Sequence, residues 1–568
     1  MGETGKQVKL WDSVPGYELN EEVDLPEMHS WFLDATHCVP PWTPMFSWFW
    51  NRYCAHGLKY VADLLSIPTC KGWEFKAKNG GGYCAFHIVR DKEEIRRREI
   101  KFREALRPWI EDFDGIWERY KKEMIKLYEP IKALNLDDAS NFELLYHLYD
   151  LISMYRRMWE IHFQGMYIAY NAWLILEDLL KKRFGITDQS PEFQKLLIGF
   201  DNKVFQVDKR LWQLGQLAVD RGLGNIFKTN GAKEIIPRLE QTQTGKEWLK
   251  DFRDFLMEDG WRMQRVAEIN EPTWIEDPTP PISAIKGFIN KGGNFVLDEV
   301  RASLAREREE AVASLLRRVP NEEREWCEAL IRLAQKASSY TEEHSHYLDM
   351  YSHALIRRGL LGIGRRLAQA GTIDKPDDIF YLNPDEVESV ILAPEVHRLQ
   401  YVANRRYAEW VEWQKRPNPP VITDRNSLEE AIEKDLLPAR DAIAMKTSIG
   451  EIPKIRLELE ADLYGMTAAP GVAEGPARVI LSYEQLSDVQ EGDILVAQAT
   501  APSWTPVFGL IKGIVIDRGG VLCHAAIVGR EYGLPTVVNT FDGTTKIKTG
   551  QRIRVDANEG AVYILEAV

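Results

Sequence analysis

The stretch Asp517-Arg518-Gly519-Gly520-Val521-Leu522-Cys523-His524-Ala525-Ala526-Ile527-Val528-Gly529-Arg530-Glu531-Tyr532-Gly533-Leu534-Pro535 decides the architecture. The run Gly513–Ile516 ahead of it is short, apolar and β-branched, as a buried strand is. A Gly-Gly loop follows, and His524 opens a helical pattern that runs to Tyr532. The two glycines let backbone N–H groups approach a ligand closely. A helix N-terminus offers unpaired donors and a positive dipole end, which suit a phosphoryl group. The same dipole disfavours an imidazolium, so His524 stays neutral, as a nucleophile must. Local physics leaves two readings of His524 open: a phosphate-accepting nucleophile, or a capping or buried histidine after a strand–helix turn.

Working outward, short β-branched runs alternate with glycine turns at Ala477–Ile480, Asp493–Ala497, Gly513–Ile516, Thr536–Val538, Arg552–Val555 and Ala561–Leu565. They predict a compact α/β module over residues 467–568, joined by a linker at 457–466. Upstream, residues 91–456 carry helical periodicity, as in Ile110, Phe113, Ile116 and Tyr120, or Leu144, Leu145, Leu148, Leu151 and Ile152. Asn270 to Ser283, with four prolines, reads as the clearest long loop. Residues 1–90 are rich in proline, glycine and aromatics, and Asn79-Gly80-Gly81-Gly82 marks a turn between short strands. The expected fold class is multidomain: a mainly α-helical substrate domain followed by a compact α/β domain.

The module resembles the swivelling phosphohistidine domain of the phosphoenolpyruvate-utilising enzyme family. The resemblance rests on motifs in order: Ala469-Pro470-Gly471-Val472-Ala473-Glu474-Gly475-Pro476-Ala477-Arg478-Val479, Leu495-Val496-Ala497, Trp504-Thr505-Pro506, the Gly-Gly-x-x-x-His loop, and Val555-Asp556-Ala557-Asn558-Glu559-Gly560. It implies that His524 accepts a phosphoryl group and hands it to a second substrate, with Gly519, Gly520, Cys523 and Arg530 around the phosphate. The family usually has Ser or Thr before the histidine; here Cys523 stands there, as a small filler or a thiol.

A carrier needs a donor site and an acceptor site. No Gly-x-x-x-x-Gly-Lys-[Ser/Thr] loop occurs, and Gly359-Leu-Leu-Gly362-Ile-Gly364 sits in a helical pattern without the strand that a dinucleotide loop requires. The first 90 residues do not resemble the ATP-grasp module of the family's synthases. The expectation is that ATP and Mg²⁺ bind on a separate ATP-grasp partner subunit.

The remaining chain is then the candidate acceptor domain. Asp34-Ala35-Thr36-His37-Cys38-Val39-Pro40-Pro41-Trp42-Thr43-Pro44-Met45 resembles the segment that opens the substrate-side domain of rifamycin phosphotransferase-like relatives, and Asp377-Asp378-Ile379-Phe380-Tyr381-Leu382 resembles one that ends it. Each is equally a structural turn with aromatic packing. Between them, Glu342, His346, Asp349 and His353 follow an i, i+4, i+7, i+11 pattern and share one face of an ideal helix. Such a stripe is a polar wall for a hydroxyl acceptor, a metal site, or a solvated face; no metal is assigned. The antibiotic-phosphorylating relatives carry an Arg/Lys-type pair along this helix where Glu342 and His346 stand. The candidates are His346 as base with His344 or His37 assisting, and Trp42, Glu342, Tyr347, Asp349 and Arg357 on the substrate. Trp42, Phe46, Trp48, Phe49, Trp50 and Tyr53 line an aromatic cavity or pack a core.

The 568 residues carry 72 basic and 86 acidic side chains, a net charge of −14. That sign argues against a nucleic-acid or anionic-membrane binder. Six scattered cysteines without a CxxC pair read as reduced thiols in a cytoplasm, and Met1–Leu10 lacks the apolar core of a signal peptide. Phe163–Leu176 is too short to span a bilayer and reads as a buried helix. In size and order the chain most resembles the phenylphosphate synthase branch of the family, which implies phosphotransfer to a phenol-like acceptor. The alternatives are an aromatic amine, a larger hydroxylated compound, or a phosphocarrier without catalysis.

Overall fold

A computed structural model describes residues 18–565, apart from 264, 293–296, 417, 440–442, 445–446, 448–456, 502–503 and 505–506. The N-terminal Met1–Leu10 and the Thr505-Pro506 part of the Trp504 motif lie outside the described residues. The chain forms two compact units, each discontinuous in sequence. Unit 1 comprises Met1–Ala105, Ala133–Phe163 and Arg358–Asp441; unit 2 comprises Leu106–Lys132, Gln164–Arg357 and Ala442–Val568. Both sequence blocks of the expected body, 1–90 and 91–456, contribute to unit 1.

Unit 1 has a four-stranded antiparallel sheet in the order β2-β3-β1-β4, from Ser30–Leu33 (β1), Cys70–Lys78 (β2), Gly81–Ile88 (β3) and Val421–Thr423 (β4). The β2–β3 turn falls at Asn79-Gly80, both with positive φ (50° and 69°), as a tight hairpin demands. The helix Pro44–Leu64 starts with Pro at N1 and the Thr43 hydroxyl accepting from Phe46 N–H. Its aromatic side chains interlock: Trp42 lies 5.2 Å from Trp50, and Trp50 lies 4.9 Å from Trp159. Trp42, Phe46, Trp48, Phe49 and Trp50 are all buried, so core packing accounts for them. Gly57 permits this approach, since a Cβ there would come within 2.7 Å of the Trp159 carbonyl oxygen. The Gly359–Gly364 run is helical, inside Tyr351–Gln369.

Unit 2 joins a helical part to the α/β module. The helical part includes the helices Lys203–Asp220, Gln243–Asp259, Thr279–Lys291, Leu297–Arg318 and Asn321–His344. Its core gathers Leu211, Phe227, Trp248, Phe252, Trp274 and Ile285. The module is an eight-stranded sheet in the order β5-β12-β11-β7-β8-β9-β10-β6. The strands are Leu463–Tyr464 (β5), Met466–Ala469 (β6), Val472–Ile480 (β7), Ile494–Ala497 (β8), Gly513–Ile516 (β9), Thr536–Val538 (β10), Arg552–Asp556 (β11) and Ala561–Ile564 (β12). β7, β8, β9 and β10 run parallel; the outer pairings are antiparallel. The helix His524–Tyr532 is the crossover from β9 to β10 and ends at Gly533 in the left-handed conformation. The chain is thus a mainly helical body followed by an α/β sheet domain, as its sequence predicts. All six cysteines are free and buried, and no described helix is long and apolar enough to cross a membrane.

Candidate functional site

His524 sits where the crossover helix begins, at the carboxyl end of the parallel strands, where open α/β sheets place their ligands. Its Nδ1 lies 2.8 Å from the Thr500 hydroxyl, which follows β8. That bond fixes the ring and leaves Nε2 pointing outward from the module. Opposite Nε2, at 3.8 Å, is Glu342 Oε2, near the end of the helix Asn321–His344. Both atoms are buried and neither has a hydrogen-bond partner. Burial, with the Arg262 charge adding to it, pushes His524 down to about 3, so the imidazole is neutral. Burial pushes Glu342 up to about 8; Arg262 pulls it down and the Glu531 charge pushes it up. At neutral pH Nε2 therefore faces a largely protonated carboxyl from a neutral imidazole, with the Arg262 guanidinium acting on both.

His346 joins this group from the next turn. Its Nδ1 lies 3.5 Å from Arg262 Nη2 and its Nε2 3.8 Å from Asp259 Oδ1. Asp259 is paired with Lys203 at 2.9 Å. Burial and the charges of Arg262 and Lys203 hold His346 well below the usual histidine value. Tyr347 packs its ring edge-on to His346 at 4.9 Å, and its carbonyl accepts from Tyr128.

The expected single stripe does not form. Ser345–Met350 is a π-helical turn, so the residues on either side of it lose the 3.6-residue register that the pattern presupposed. Glu342 and His346 go with Arg262. His344 turns elsewhere, with Nδ1 2.7 Å from the Tyr340 carbonyl and Nε2 3.8 Å from Asp349. His353 Nδ1 bonds the Val266 carbonyl at 2.6 Å. Arg357, expected on the substrate, is engaged with the chain: Nε meets Glu276 at 2.9 and 3.1 Å, and Nη1 donates to Ile269 O at 3.0 Å.

The module's own candidates separate in the same way. Gly519 has φ 105°, and a Cβ there would meet Cys523 Cβ at 3.0 Å, so glycine serves the tight turn. The Gly520 N–H donates to Thr447 O at 2.7 Å, which commits it to the chain rather than to a ligand. Cys523 is the helix N-cap residue without a side-chain cap bond; burial raises its thiol to about 11, so it is a filler and not a thiolate. Arg530, six residues after His524, is buried over the Trp173 ring and donates to Ala468 O and Gln194 Oε1. It joins its helix-mates Glu531, which accepts from Phe200 N–H at 2.7 Å, and Tyr532, which donates to Asp208 at 2.5 Å. This trio holds the crossover helix on the helical part. In unit 1, His37 Nδ1 bonds Asp34 at 2.8 Å, and Trp42 Nε1 donates to His37 O at 2.9 Å.

Sequence reading missed Arg262, Thr500, Asp259 and Lys203. Thr500 was findable, because it lies just past the carboxyl end of a parallel strand. Arg262 carries no local signal, being one arginine in an irregular loop.

Comparison with known proteins adds two family matches. Residues 161–342 match the model of the rifampicin phosphotransferase fourth domain, and residues 489–560 match that of the mobile domain of PEP-utilising enzymes. Glu342 closes the first stretch and His524 lies in the second. Among curated relatives, the uncharacterized phosphotransferase YvkC of Bacillus subtilis is 29% identical over 380 residues, 66% of this chain and 44% of that one. Rifampicin phosphotransferase of the same organism is 32% identical over 318 residues, 55% of this chain and 34% of that one. Chondramide synthase cmdD of Chondromyces crocatus is 30% identical over 449 residues, 76% of this chain and 11% of that one. The chain spans less than half the length of these relatives.

Proposed function

Given a chain that belongs to the PEP-utilising enzyme family, we propose that it is a phosphotransferase that carries a phosphoryl group on His524 Nε2 and passes it to an organic hydroxyl group. One observation carries this reading: a neutral, Thr500-oriented imidazole whose bare Nε2 faces a buried carboxyl across 3.8 Å. That gap is too short to hold the phosphoryl oxygens, so a loaded His524 seats only when Glu342 turns aside.

In the transfer, the acceptor oxygen forms a bond to phosphorus as the P–Nε2 bond breaks. The electron pair of the broken bond stays on Nε2. Thr500 Oγ1, accepting from Nδ1–H, keeps that proton on the ring, so the leaving group is a neutral imidazole. The acceptor's hydroxyl proton passes to the ionised Glu342 carboxylate, whose Oε2 faces Nε2, in place of His346, whose ring nitrogens face Arg262 and Asp259. Phosphoryl transfer of this kind is chiefly positioning and charge stabilisation.

ATP with Mg²⁺ supplies the phosphoryl group. A Mg²⁺ site wants several hard carboxylate or phosphate oxygens. One largely protonated carboxyl beside a guanidinium does not fit, so loading belongs to an ATP-grasp partner subunit. For the acceptor, relatives named as rifampicin phosphotransferases favour a larger hydroxylated compound over the phenol-like one. Phenol and aniline belong in the same assay.

The test is to phosphorylate the full chain with phosphoramidate, follow phosphohistidine by ³¹P NMR, and then add hydroxylated compounds, phenol and aniline separately. His524→Ala should take no label, and one acceptor class should discharge the wild type. A His524→Ala chain that still labels would refute the carrier. A labelled wild type that no acceptor discharges would make this a phosphocarrier without catalysis.

A further inference from the structure

Residues 34–45, which the phosphotransfer reading leaves unused, contribute Trp42 and Pro44 to the wall of a cavity in unit 1. The cavity measures about 130 Å³, and Ser47, Asn383, Arg406 and Trp413 also line it. Bonds within unit 1 fix these walls. Trp42 N–H donates to Gly80 O at 2.8 Å, and its indole Nε1 donates to His37 O at 2.9 Å. A Cβ on Gly80 would stand 2.7 Å from Pro41 Cβ and 3.0 Å from Trp413 Cε3, so the hairpin turn closes directly on Trp413. Trp413 itself is half-buried, at the end of the helix Gln400–Trp413.

Two polar side chains of the lining are more than nine-tenths buried and keep bonding capacity. Asn383 is 5% exposed, and its Oδ1 has no hydrogen-bond partner among the described residues. Its backbone N–H is held by the Glu386 carboxylate at 2.8 Å, which fixes the residue in place. Ser47 is 2% exposed; its Oγ accepts from Asn51 Nδ2 at 3.0 Å, which leaves its own proton to donate. A buried acceptor left unmade is costly, and a native fold keeps one where something outside the chain completes it. The cations are answered by carboxylates: Arg406 lies on Glu386 at 2.6 and 2.9 Å, and Lys78 pairs with Glu21. The site therefore suits a neutral ligand. Its size is that of one ring, since an apolar cavity of roughly 150 Å³ takes up benzene.

We propose that unit 1 carries a second ligand site for a neutral, one-ring aromatic lactam or carboxamide. The ligand's N–H donates to Asn383 Oδ1, its carbonyl accepts from the Ser47 hydroxyl, and its ring lies against Trp413. The inference uses no residue of the His524 site and stands whether or not the phosphohistidine reading does.

The experiment titrates the full chain with 2-pyridone and with N-methyl-2-pyridone, read by ligand-observed ¹H NMR. The methylated ring keeps the carbonyl and lacks the N–H. The wild type should bind 2-pyridone at least ~10-fold more tightly than the methylated ring, the effect of one buried hydrogen bond. Asn383→Leu, similar in volume, should lose that preference, a change that a purely structural role would not produce. Ser47→Ala and Trp413→Ala should weaken both rings, because both rings keep the carbonyl and the aromatic face. Should Asn383→Leu fail to fold, Trp413→Ala must still weaken 2-pyridone, or the site is refuted. Equal affinity of the wild type for the two rings would overturn the inference, as would 2-pyridone binding that Asn383→Leu leaves unchanged. Absence of binding at millimolar 2-pyridone would overturn it too, and would leave Asn383 to water alone.

Discussion

Glu342 and Glu531 are two carboxyl groups that burial holds up at about 8, against an ordinary value of 4.5. For Glu342 the consequence is kinetic. A base must be ionised, and its ionised fraction grows as pH rises toward about 8. Phosphoryl transfer should therefore rise with pH and level off above that value, and Glu342→Gln should be both slower and flat, as a pH–rate profile will show. For Glu531 the consequence is stability. Between about 4.5 and about 8 the folded chain holds a proton that the unfolded chain has released, so stability falls as pH rises through that window. Glu531→Gln keeps an oxygen for the Phe200 N–H and should flatten this slope in urea melts; Glu342 occupies the same window, so the double variant should flatten it further. His524 gives the opposite slope below 6.5, since only the unfolded ring takes up a proton there. Thr500→Val removes one hydrogen bond from the reacting ring and should slow transfer about tenfold, roughly the effect of 1–1.5 kcal/mol.

At the scale of elements, the crossover helix His524–Tyr532 was legible in advance. Its strand, glycine loop, alanines and C-terminal Gly533 each follow a local rule. Gly529 shows how tightly that helix lies on the sheet: a Cβ there would fall 2.1 Å from Thr536 Oγ1. Gly529→Ala should cost roughly 1–3 kcal/mol by overpacking, measurable as a lowered urea midpoint. The stripe Glu342 to His353 was legible only in part. Its residue types were right for a polar site, yet a period-3.6 reading assumes an unbroken α-helix. The π turn at Ser345–Met350 inserts extra chain and shifts Asp349 off the register of Glu342, so that it meets His344 instead. No spacing rule announces a π turn, because it is stabilised by what packs around it.

For the molecule as a whole, the two units draw on segments far apart in sequence, and the proposed site lies within the unit that contains the sheet domain. The proposed loading of His524 comes from a separate ATP-grasp subunit. With ATP and Mg²⁺ alone the chain should take no label, and adding an ATP-grasp subunit should label His524; autoradiography of the chain with and without that subunit decides it.

What the sequence by itself determined is the frame of the proposed carrier: a parallel strand, a glycine loop and a histidine at a helix start, each set by contacts between near neighbours. What only the tertiary structure decided is the company His524 keeps. Thr500 orients it, Glu342 faces it, and Arg262 stands beside the neighbouring His346. Gly520, expected at the phosphate, spends its N–H on Thr447 O, and Arg530 Nη1 donates to Ala468 O and Gln194 Oε1. The reason is physical. A local pattern encodes the period of a helix or strand. Which buried charge faces which ring depends on packing between segments hundreds of residues apart, and no period records that.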